Sequence, residues 1–172
     1  MMNRIIKILL LLLLPINAFA TTYYVATNGN DSNNGTSLST PFATWQKGFT
    51  ETLAGDTLFI RGGVYYLSGL GAGISGPNSG MAENPICVFA YQPDWDLGNK
   101  PILDCSGVIP RYATDFAAIG FNEVQYIHLK GLTVRNLYQR FSGEYMPEAF
   151  SAVACANFTF ENCTAQNISG RG

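Results

Sequence analysis

The stretch Ile127–Leu137, which reads IHLKGLTVRNL, has a counterpart in Phe158–Ile168, which reads FTFENCTAQNI. The offset between the two copies is constant, because 158 − 127 and 167 − 136 both give 31. Apolar and polar residues alternate in both, and each copy ends on an asparagine, Asn136 or Asn167, followed by an aliphatic residue. Alternation with a period of two indicates β-strands, and strands repeated at intervals of roughly 20–50 residues indicate a solenoid.

The repeat predicts that successive coils stack in parallel, with Leu129 beneath Phe160. It also predicts that the amides of Asn136 and Asn167 form a hydrogen-bonded ladder. We therefore predict an all-β fold, a right-handed parallel β-helix, with the hand taken from the general rule for parallel crossovers. A β-sandwich with two similar strands is the alternative.

A change of period marks the N-terminal end of the predicted solenoid. Four apolar residues fall at helical spacing, namely Phe42, Trp45, Phe49 and Leu53. They predict a short amphipathic helix that ends before Gly55. Because an open solenoid end exposes apolar side chains and unpaired backbone groups, we predict that this helix and a first strand at Thr22–Ala26 form the cap.

The rest of the chain predicts short strands joined by turns and loops. The predicted strands are Asp56–Arg61, Ile86–Ala90, Pro101–Asp104, Phe116–Phe121, Val124–Val134, Ala149–Ala156 and Phe158–Ile168. The predicted loops are Ser68–Asn84, Gln92–Lys100 and Tyr138–Glu148. No amphipathic segment after Ile168 is suited to cover the edge of the last coil. We therefore expect the chain to be the front portion of a longer protein.

Residues 1–20 have the features of a signal peptide. Arg4 and Lys7 precede the apolar run Ile8–Leu14, and Ala18-Phe-Ala20 is a small-x-small cleavage motif. The run is too short for a membrane span, which needs about 20 residues. We predict cleavage after Ala20, a mature domain at residues 21–172, a periplasmic or extracellular location and no membrane association after cleavage.

The charge of the chain argues against a nucleic-acid partner. The sequence has 10 basic and 12 acidic residues, and removal of Arg4 and Lys7 leaves 8 − 12 = −4. Phosphate binding needs a basic surface, which this composition does not supply. The length suits one domain, and we expect a monomer.

The four cysteines, Cys87, Cys105, Cys155 and Cys163, leave the disulfide state open. Export permits disulfides, and four cysteines allow three pairings between which the sequence does not choose. Cys163 takes the place of Leu132 in the repeat. Its position therefore favours packing in the core over bridging.

Several polar segments resemble ligand sites but have simpler interpretations. The segment Asn28–Gly35 is rich in oxygen ligands for Ca²⁺, yet it lacks the spaced acids of a calcium loop, so a structural turn is favoured. Asp94 and Asp96 flank Trp95 without a third acid, which favours a solvated loop. Asp104 is predicted to end a strand and bind nearby backbone.

The basic residues that could have a functional role also have simpler interpretations. Alternation places His128 outward, and no Gly-x-Ser-x-Gly motif supplies it with a nucleophile, so an exposed strand residue is favoured. Lys130, Arg135 and Arg140 are candidates for a groove that holds an acidic polysaccharide, or are simply solvated. No residue is predicted to be catalytic, cofactor-binding or metal-binding.

Six segments together carry a resemblance to a known family. They are Tyr23–Thr36 followed by Pro41–Gln46, then Ala54–Tyr65, Asn84–Ile86, Pro101–Asp104 and Ile127–Asn136. The chain resembles the start of secreted right-handed parallel β-helix proteins, especially the family-nine pectate lyases of the pectate lyase L type. The resemblance covers nearly the whole predicted mature chain.

The resemblance implies cleavage of pectate, an acidic plant polysaccharide, by β-elimination. In that family Ca²⁺ neutralises the uronate carboxylate and a lysine removes the C5 proton. The family's aspartates and lysine lie in coils after the portion matched here, so none is carried over and this chain alone is expected to be inactive. A β-helix glycoside hydrolase such as a polygalacturonase and a non-catalytic surface or adhesion protein are the alternatives.

Overall fold

The structure is a computed structural model that describes residues 20–70, 72–109, 116–138 and 147–169. All but the last residue of the predicted signal peptide lies outside the described residues. The same holds for Arg140 and for most of the predicted loop Tyr138–Glu148.

The described residues form mainly short strands. The strands are β1 (Thr22–Val25), β2 (Thr57–Ile60), β3 (Gly63–Leu70), β4 (Ile74–Ser75), β5 (Ile86–Ala90), β6 (Pro101–Ile109), β7 (Phe116–Asn122), β8 (Gln125–Lys130), β9 (Thr133–Tyr138), β10 (Pro147–Val153), β11 (Ala156–Glu161) and β12 (Thr164–Ser169). The helices are α1 (Trp45–Glu51) and α2 (Gln92–Asp96).

The strands build three sheets, and every described pair of strands is parallel. The first sheet has the order β1-β2-β5-β8-β11, the second β3-β6-β9-β12 and the third β4-β7-β10. From β2 onward, successive strands pass from sheet to sheet, so each complete coil adds one strand to each sheet. The parallel β-helix predicted from the repeat is confirmed.

Two of the predicted strands are each divided in two. The stretch 124–134 is broken at Gly131 with φ 74°, and the stretch 158–168 is broken at Asn162 with φ 53°. Both residues take left-handed backbone, which turns the chain from the first sheet into the second. Alternation alone did not indicate this corner because the apolar pattern continues across it.

The register matches the repeat. Ile127 pairs with Phe158 and Leu129 with Phe160. Leu129 is fully buried, whereas Phe160 in the last described coil is 46% exposed. The inward positions of the first sheet therefore form one continuous core, covered on both sides as far as β8.

A ladder of polar side chains runs across the strands of the second sheet, where Asn136 in β9 and Asn167 in β12 both have a left-handed backbone. Asn167 Nδ2 donates to Asn136 Oδ1 at 3.2 Å, as predicted, and Asn136 Nδ2 donates to Asp104 Oδ2 at 2.9 Å. Asp104 does bind nearby backbone, since Ser106 N donates to its Oδ1 at 3.0 Å. It does not end a strand, however: it lies inside β6, 4% exposed, because β6 continues to Ile109.

The cap combines helix α1 with the turns before it. Trp45 and Phe49 are buried as predicted, but Leu53 is 58% exposed, because the helix ends at Glu51 and Leu53 lies beyond its apolar face. The outer edge of β1 is covered, since Phe42 N donates to Tyr24 O and Ala26 N to Phe42 O, both at 2.9 Å. Unpaired edge groups are thereby satisfied at the start of the solenoid.

The segment Asn28–Gly35 is a structural turn. The side chain of Asn30 accepts from Ser32 N at 2.9 Å. Asp31 accepts from the backbone of Ala43 at 2.8 Å and from that of Thr44 at 3.0 Å, and so holds the start of α1. The polar side chains of this segment thus bind backbone groups within it and at the start of α1, which is the usual role of such residues in turns.

Two predicted loops contain regular structure. The loop Ser68–Asn84 includes the end of β3 and all of β4, and the loop Gln92–Lys100 includes α2.

All four cysteines are free thiols. Burial raises the pKa of Cys105 to about 12. Within the described ranges, no helix is long and apolar enough to cross a bilayer.

Candidate functional site

The outer surface of the first sheet, which we call the front face, collects the polar and aromatic side chains that point away from the core. The register aligns one outward row, which reads Tyr24, Phe59, Phe89, Lys130 and Glu161. A second row reads Thr22, Thr57, Cys87, His128 and Thr159. The front face is therefore aromatic at its N-terminal end and charged at its C-terminal end.

The aromatic end consists of rings that contact one another. Tyr24 and Phe59 are stacked with centroids 5.8 Å apart, and Phe59 and Phe89 lie 6.4 Å apart. Tyr91 meets Phe59 edge-on at 5.9 Å. Rings that stack on neighbouring strands stabilise the sheet, and their faces are used in doing so. This part of the front face is mainly structural.

The charged end is a cluster of three side chains. Glu161 Oε1 lies 2.7 Å from Lys130 Nζ, and Glu161 Oε2 lies 3.0 Å from His128 Nε2. His128 also meets the ring of Phe89 edge-on at 4.9 Å. The prediction that His128 points outward is confirmed, but the side chain is partly covered by these two neighbours.

The electrostatics of the cluster limit its chemistry. The hydrogen bond from Lys130, and then the one from His128, hold the pKa of the Glu161 carboxyl below its usual value. The carboxylate is therefore ionised at neutral pH and is poorly suited to donate a proton as a general acid. The cluster is better suited to bind charged or hydroxylated groups.

A pocket of about 210 Å³ lies beside this cluster, where the strands of the first sheet end. It is lined by Ala90, Gln92, Trp95, Lys130, Gly131 and Asn162, and we call it the Trp95 pocket. Trp95 forms its aromatic wall, and Lys100 Nζ lies 4.5 Å from the centroid of the Trp95 ring. An aromatic wall with a few polar groups is typical of small-molecule sites.

Helix α2 positions Trp95 and is anchored by Asp94. The carboxylate of Asp94 binds the guanidinium of Arg61, with Nη2 to Oδ1 at 3.0 Å, and accepts from Gly62 N at 2.9 Å. The prediction of a solvated loop is therefore wrong for Asp94, which is 8% exposed, although Asp96 is exposed. The pattern of acids did not indicate this, because the partner lies far away in sequence at Arg61.

The ion pair predicts a pH-dependent stability. The hydrogen bond from Arg61 outweighs burial and lowers the pKa of Asp94, whose unfolded value is about 3.9. The stabilisation is therefore present above about pH 4 and is lost as the pH falls through the lower folded value. We expect Asp94→Asn to cost about 2–3 kcal/mol near neutral pH, less than for a fully buried pair.

Urea unfolding of the wild type and Asp94→Asn, between about pH 6 and about pH 2, measures this difference. The difference should shrink at the acidic end, and an equal difference throughout contradicts the assignment. Asp96→Asn is the matched control because Asp96 is exposed, and we expect a change within about 0.5 kcal/mol.

Gly131 makes room for Trp95 to pack against the sheet. A Cβ atom at this position would lie 2.8 Å from Ala90 Cβ and 2.9 Å from Trp95 Cζ3, and φ is 74°. We expect Gly131→Ala to cost about 2–4 kcal/mol from overpacking and backbone strain together.

Gly98→Ala is the control for Gly131→Ala, since φ is 77° there and nothing lies within 4 Å of the added Cβ. Only the backbone cost of about 1 kcal/mol should remain at Gly98. Thermal unfolding compares the two variants, and equal losses would show that Trp95 does not pack against Gly131.

A larger cavity of about 360 Å³ lies between α1 and β3, away from the charged cluster. Trp45, Tyr65, Tyr66 and Leu67 contribute to its wall. No side chain on its wall carries a formal charge, and the indole N–H of Trp45 has no partner among the described residues. This cavity does not have the chemistry for an acidic ligand.

The other basic candidates do not join the site. Arg135 Nε donates to Asp104 Oδ2 at 2.8 Å and so belongs to the polar ladder. Of the three basic residues suggested for a groove, Lys130 lines the Trp95 pocket, and Arg140 lies outside the described residues.

The carboxylates of the described residues do not fit a Ca²⁺ site. Asp94, Asp104 and Glu161 are paired with cations, and Asp31 is used by backbone N–H groups. No three His, Cys, Asp or Glu side chains in the described ranges lie close enough together to hold a metal ion. Ca²⁺ requires six to eight oxygen ligands, which these residues do not gather.

The amino-acid sequence that forms these coils matches a known family model. The model is described as the Pel9A-like, right-handed β-helix region, and it matches residues 23–172. The chain belongs to this Pel9A-like family. Membership also fixes the hand of the solenoid as right-handed, as predicted.

Solved structures agree with the Pel9A-like assignment. A rhamnogalacturonan lyase is similar with a TM-score of 0.72 and 26% identity over 86% of this chain and 36% of that one. Pectate lyase Pel9A has a TM-score of 0.62 and 26% identity over 85% of this chain and 34% of its own. The chain thus spans about one third of the length of these lyases.

A third similar structure is the GH136 lacto-N-biosidase from Eubacterium ramulus. Its TM-score is 0.64 at 19% identity, over 87% of this chain and 27% of that one, and it shows the fold alone. A search of curated proteins found no match.

Sequence reasoning missed two residues, Glu161 on the front face and Trp95 in the pocket beside it. Glu161 was not singled out, although the offset of 31 places it directly on Lys130 and so predicts opposite charges in contact. Trp95 was regarded only as part of a loop. Its packing on Gly131 depends on helix α2, for which the sequence carried no clear signal.

Proposed function

We propose that this chain forms the front part of a secreted polysaccharide lyase that cleaves pectate-type uronate polymers by Ca²⁺-assisted β-elimination. The observation that carries the proposal is the match to the Pel9A-like family over residues 23–172. Similarity at 26% identity to a rhamnogalacturonan lyase and to pectate lyase Pel9A supports it. The predicted signal peptide supports export, and we expect a monomer.

The proposal divides the work between this chain and the coils that would follow it. In β-elimination a base removes the C5 proton of a uronate, a C4–C5 double bond forms, and the C4–O bond breaks. The leaving oxygen then takes up a proton. Asp94, Asp104 and Glu161 are already paired with cations, and Lys130 is bound to Glu161. No three His, Cys, Asp or Glu side chains of the described residues are grouped so that they could hold a metal ion. We therefore assign the base and the Ca²⁺ ligands to positions outside the described residues.

The front face contributes binding rather than chemistry in this proposal. Its charged end and the Trp95 pocket present an ammonium, amides and an aromatic ring at the surface. These are the groups that recognise a carboxylated and hydroxylated polymer.

The test uses the longer protein that contains this chain, incubated with polygalacturonate and Ca²⁺. We expect unsaturated products that absorb in the ultraviolet and are abolished by a chelator. New reducing ends without that absorbance, unchanged by a chelator, would indicate hydrolysis and overturn the proposal. No cleavage of any uronate polymer would favour a non-catalytic surface protein.

A further inference from the structure

We propose that the Trp95 pocket is a binding subsite for one uronate unit of an acidic polysaccharide. The inference rests on the proposed function for the nature of the polymer, and it concerns a site separate from the chemical step. Three features of the pocket carry it: its chemistry, its rigidity and its position.

The chemistry of the wall matches a sugar acid. The indole ring of Trp95 packs on Gly131 and has Lys100 Nζ over it at 4.5 Å, and its remaining apolar surface is offered to the C–H groups of a sugar ring. Asn162 is an exposed amide that can donate to and accept from hydroxyl groups. Gln92 is also exposed; its Nε2 donates to Asp96 Oδ1 at 2.6 Å, and its amide oxygen can accept from a hydroxyl group. Lys130 lines the same pocket and supplies an ammonium for the carboxylate.

Two ammonium groups at the pocket are available to an anion. Lys130 Nζ and Glu161 Oε1 are 2.7 Å apart, but both side chains are 40% exposed. Such exposed pairs are worth only about 0–1 kcal/mol, so the ammonium can turn to a bound carboxylate at little cost. Lys100, at the ring of Trp95, is a second cation, and the nearby Asp94 is neutralised by Arg61. The carboxylate of Asp96 is also close, since its Oδ1 accepts from Gln92 Nε2 at 2.6 Å.

The pocket is rigid before any ligand binds. Asp94 ties α2 to the side chain of Arg61 and to the backbone of Gly62, and Gly131 lets the Trp95 ring lie against the sheet. A wall held in this way loses little freedom on binding.

The position suits a unit of a longer polymer. Ala90, Gly131 and Asn162 follow one another at the ends of β5, β8 and β11, so the pocket lies along the direction in which the coils stack. Neighbouring strands are about 4.8 Å apart, so a chain that follows this direction passes from one coil to the next. A volume of about 210 Å³ holds one small ring and not several.

The test titrates the 172-residue chain with a galacturonate oligomer and measures binding by calorimetry and by tryptophan fluorescence. The chain has two tryptophans, and Trp45 is 1% exposed, so a fluorescence change reports on Trp95. We expect Trp95→Ala and Asn162→Asp each to weaken binding about tenfold. Because Asn162 is exposed, Asn162→Asp keeps the test valid if the loss of Trp95 disturbs folding.

The charge requirement is tested separately. Lys130→Gln should weaken the acidic oligomer about tenfold and leave binding of the fully methyl-esterified oligomer unchanged. Lys47→Gln is the matched control, since Lys47 lies on α1 and pairs with Glu51. The inference is overturned if Trp95→Ala, Asn162→Asp and Lys130→Gln all bind the acidic oligomer as tightly as the wild type does. It is also overturned if the wild type binds the acidic and the methyl-esterified oligomers equally tightly.

A failure of the binding subsite can be distinguished from a failure of the proposed lyase function. If the oligomer does not bind this pocket but the longer protein still forms unsaturated products, the subsite is wrong and the lyase stands. If the oligomer binds the pocket and the longer protein forms no such products, the subsite stands and the lyase is wrong.

Discussion

Asp104→Ala is expected to lower the free energy of unfolding by about 2–4 kcal/mol, because it leaves the partly buried Arg135 without its counter-ion. Asp104 Oδ2 accepts from Arg135 Nε at 2.8 Å and from Asn136 Nδ2 at 2.9 Å. The side chain of Asp104 is 6% exposed and that of Arg135 29% exposed. Asp104 thus holds the first position of the ladder that continues through Asn136 to Asn167.

The same residue predicts acid sensitivity. Burial raises the pKa of Asp104, but the hydrogen bonds from Ser106, Arg135 and Asn136 outweigh it and bring the pKa below its usual value. Its stabilisation is therefore present above about pH 4, the unfolded value, and is lost as the pH falls through the folded value. Urea unfolding of Asp104→Ala at several pH values measures both effects.

Asp104→Asn is the informative companion of Asp104→Ala. An amide can still accept from Asn136 but no longer carries the charge that Arg135 requires. We expect a loss between that of Asp104→Ala and zero. If Asp104→Ala unfolds at the same urea concentration as the wild type, the ladder does not stabilise the coils.

Leu129→Ala is expected to cost about 2–5 kcal/mol, the usual range for removing a large side chain from a closed core. Leu129 is fully buried and lies between Val88 in the preceding coil and Phe160 in the following one. Loss of its side chain leaves a cavity that the flanking strands, held by their own hydrogen bonds, cannot close.

Phe160→Ala is the matched control because Phe160 occupies the same position one coil later but is 46% exposed. Its ring contacts Phe158 at 4.9 Å and Phe150 at 5.6 Å, so we expect a small loss of about 1 kcal/mol. Thermal unfolding of the two variants compares the positions. Equal losses would show that the coils do not stack in the register described.

The stacking of the coils could be predicted only where two successive coils have the same length and a similar sequence. The offset of 31 between β8 and β11 let alternation and the two asparagines identify the stacking of Leu129 on Phe160. Between β5 and β8 the offset is 127 − 86 = 41, because loops of different length are inserted. The coil between β5 and β8 therefore does not continue the repeat. The offset from β2 to β5 is 87 − 57 = 30, close to 31, but the residues there are too different for the repeat to be visible.

Corners and long-range partners were the features that sequence reasoning could not supply. The break at Gly131 depends on a left-handed backbone conformation that does not interrupt the alternation. The pairing of Asp94 with Arg61 depends on the path of the chain between β2 and α2. By contrast, the contact between Lys130 and Glu161 was available from the repeat, since their separation is the repeat length itself.

We propose that the described coils hold an acidic polysaccharide and that the residues that break the chain lie outside the described residues. The direct measurement mixes the 172-residue chain with polygalacturonate and Ca²⁺ and follows binding and new chain ends in the same sample. Association without new ends is the predicted result. Formation of new ends by this chain alone would contradict the claim.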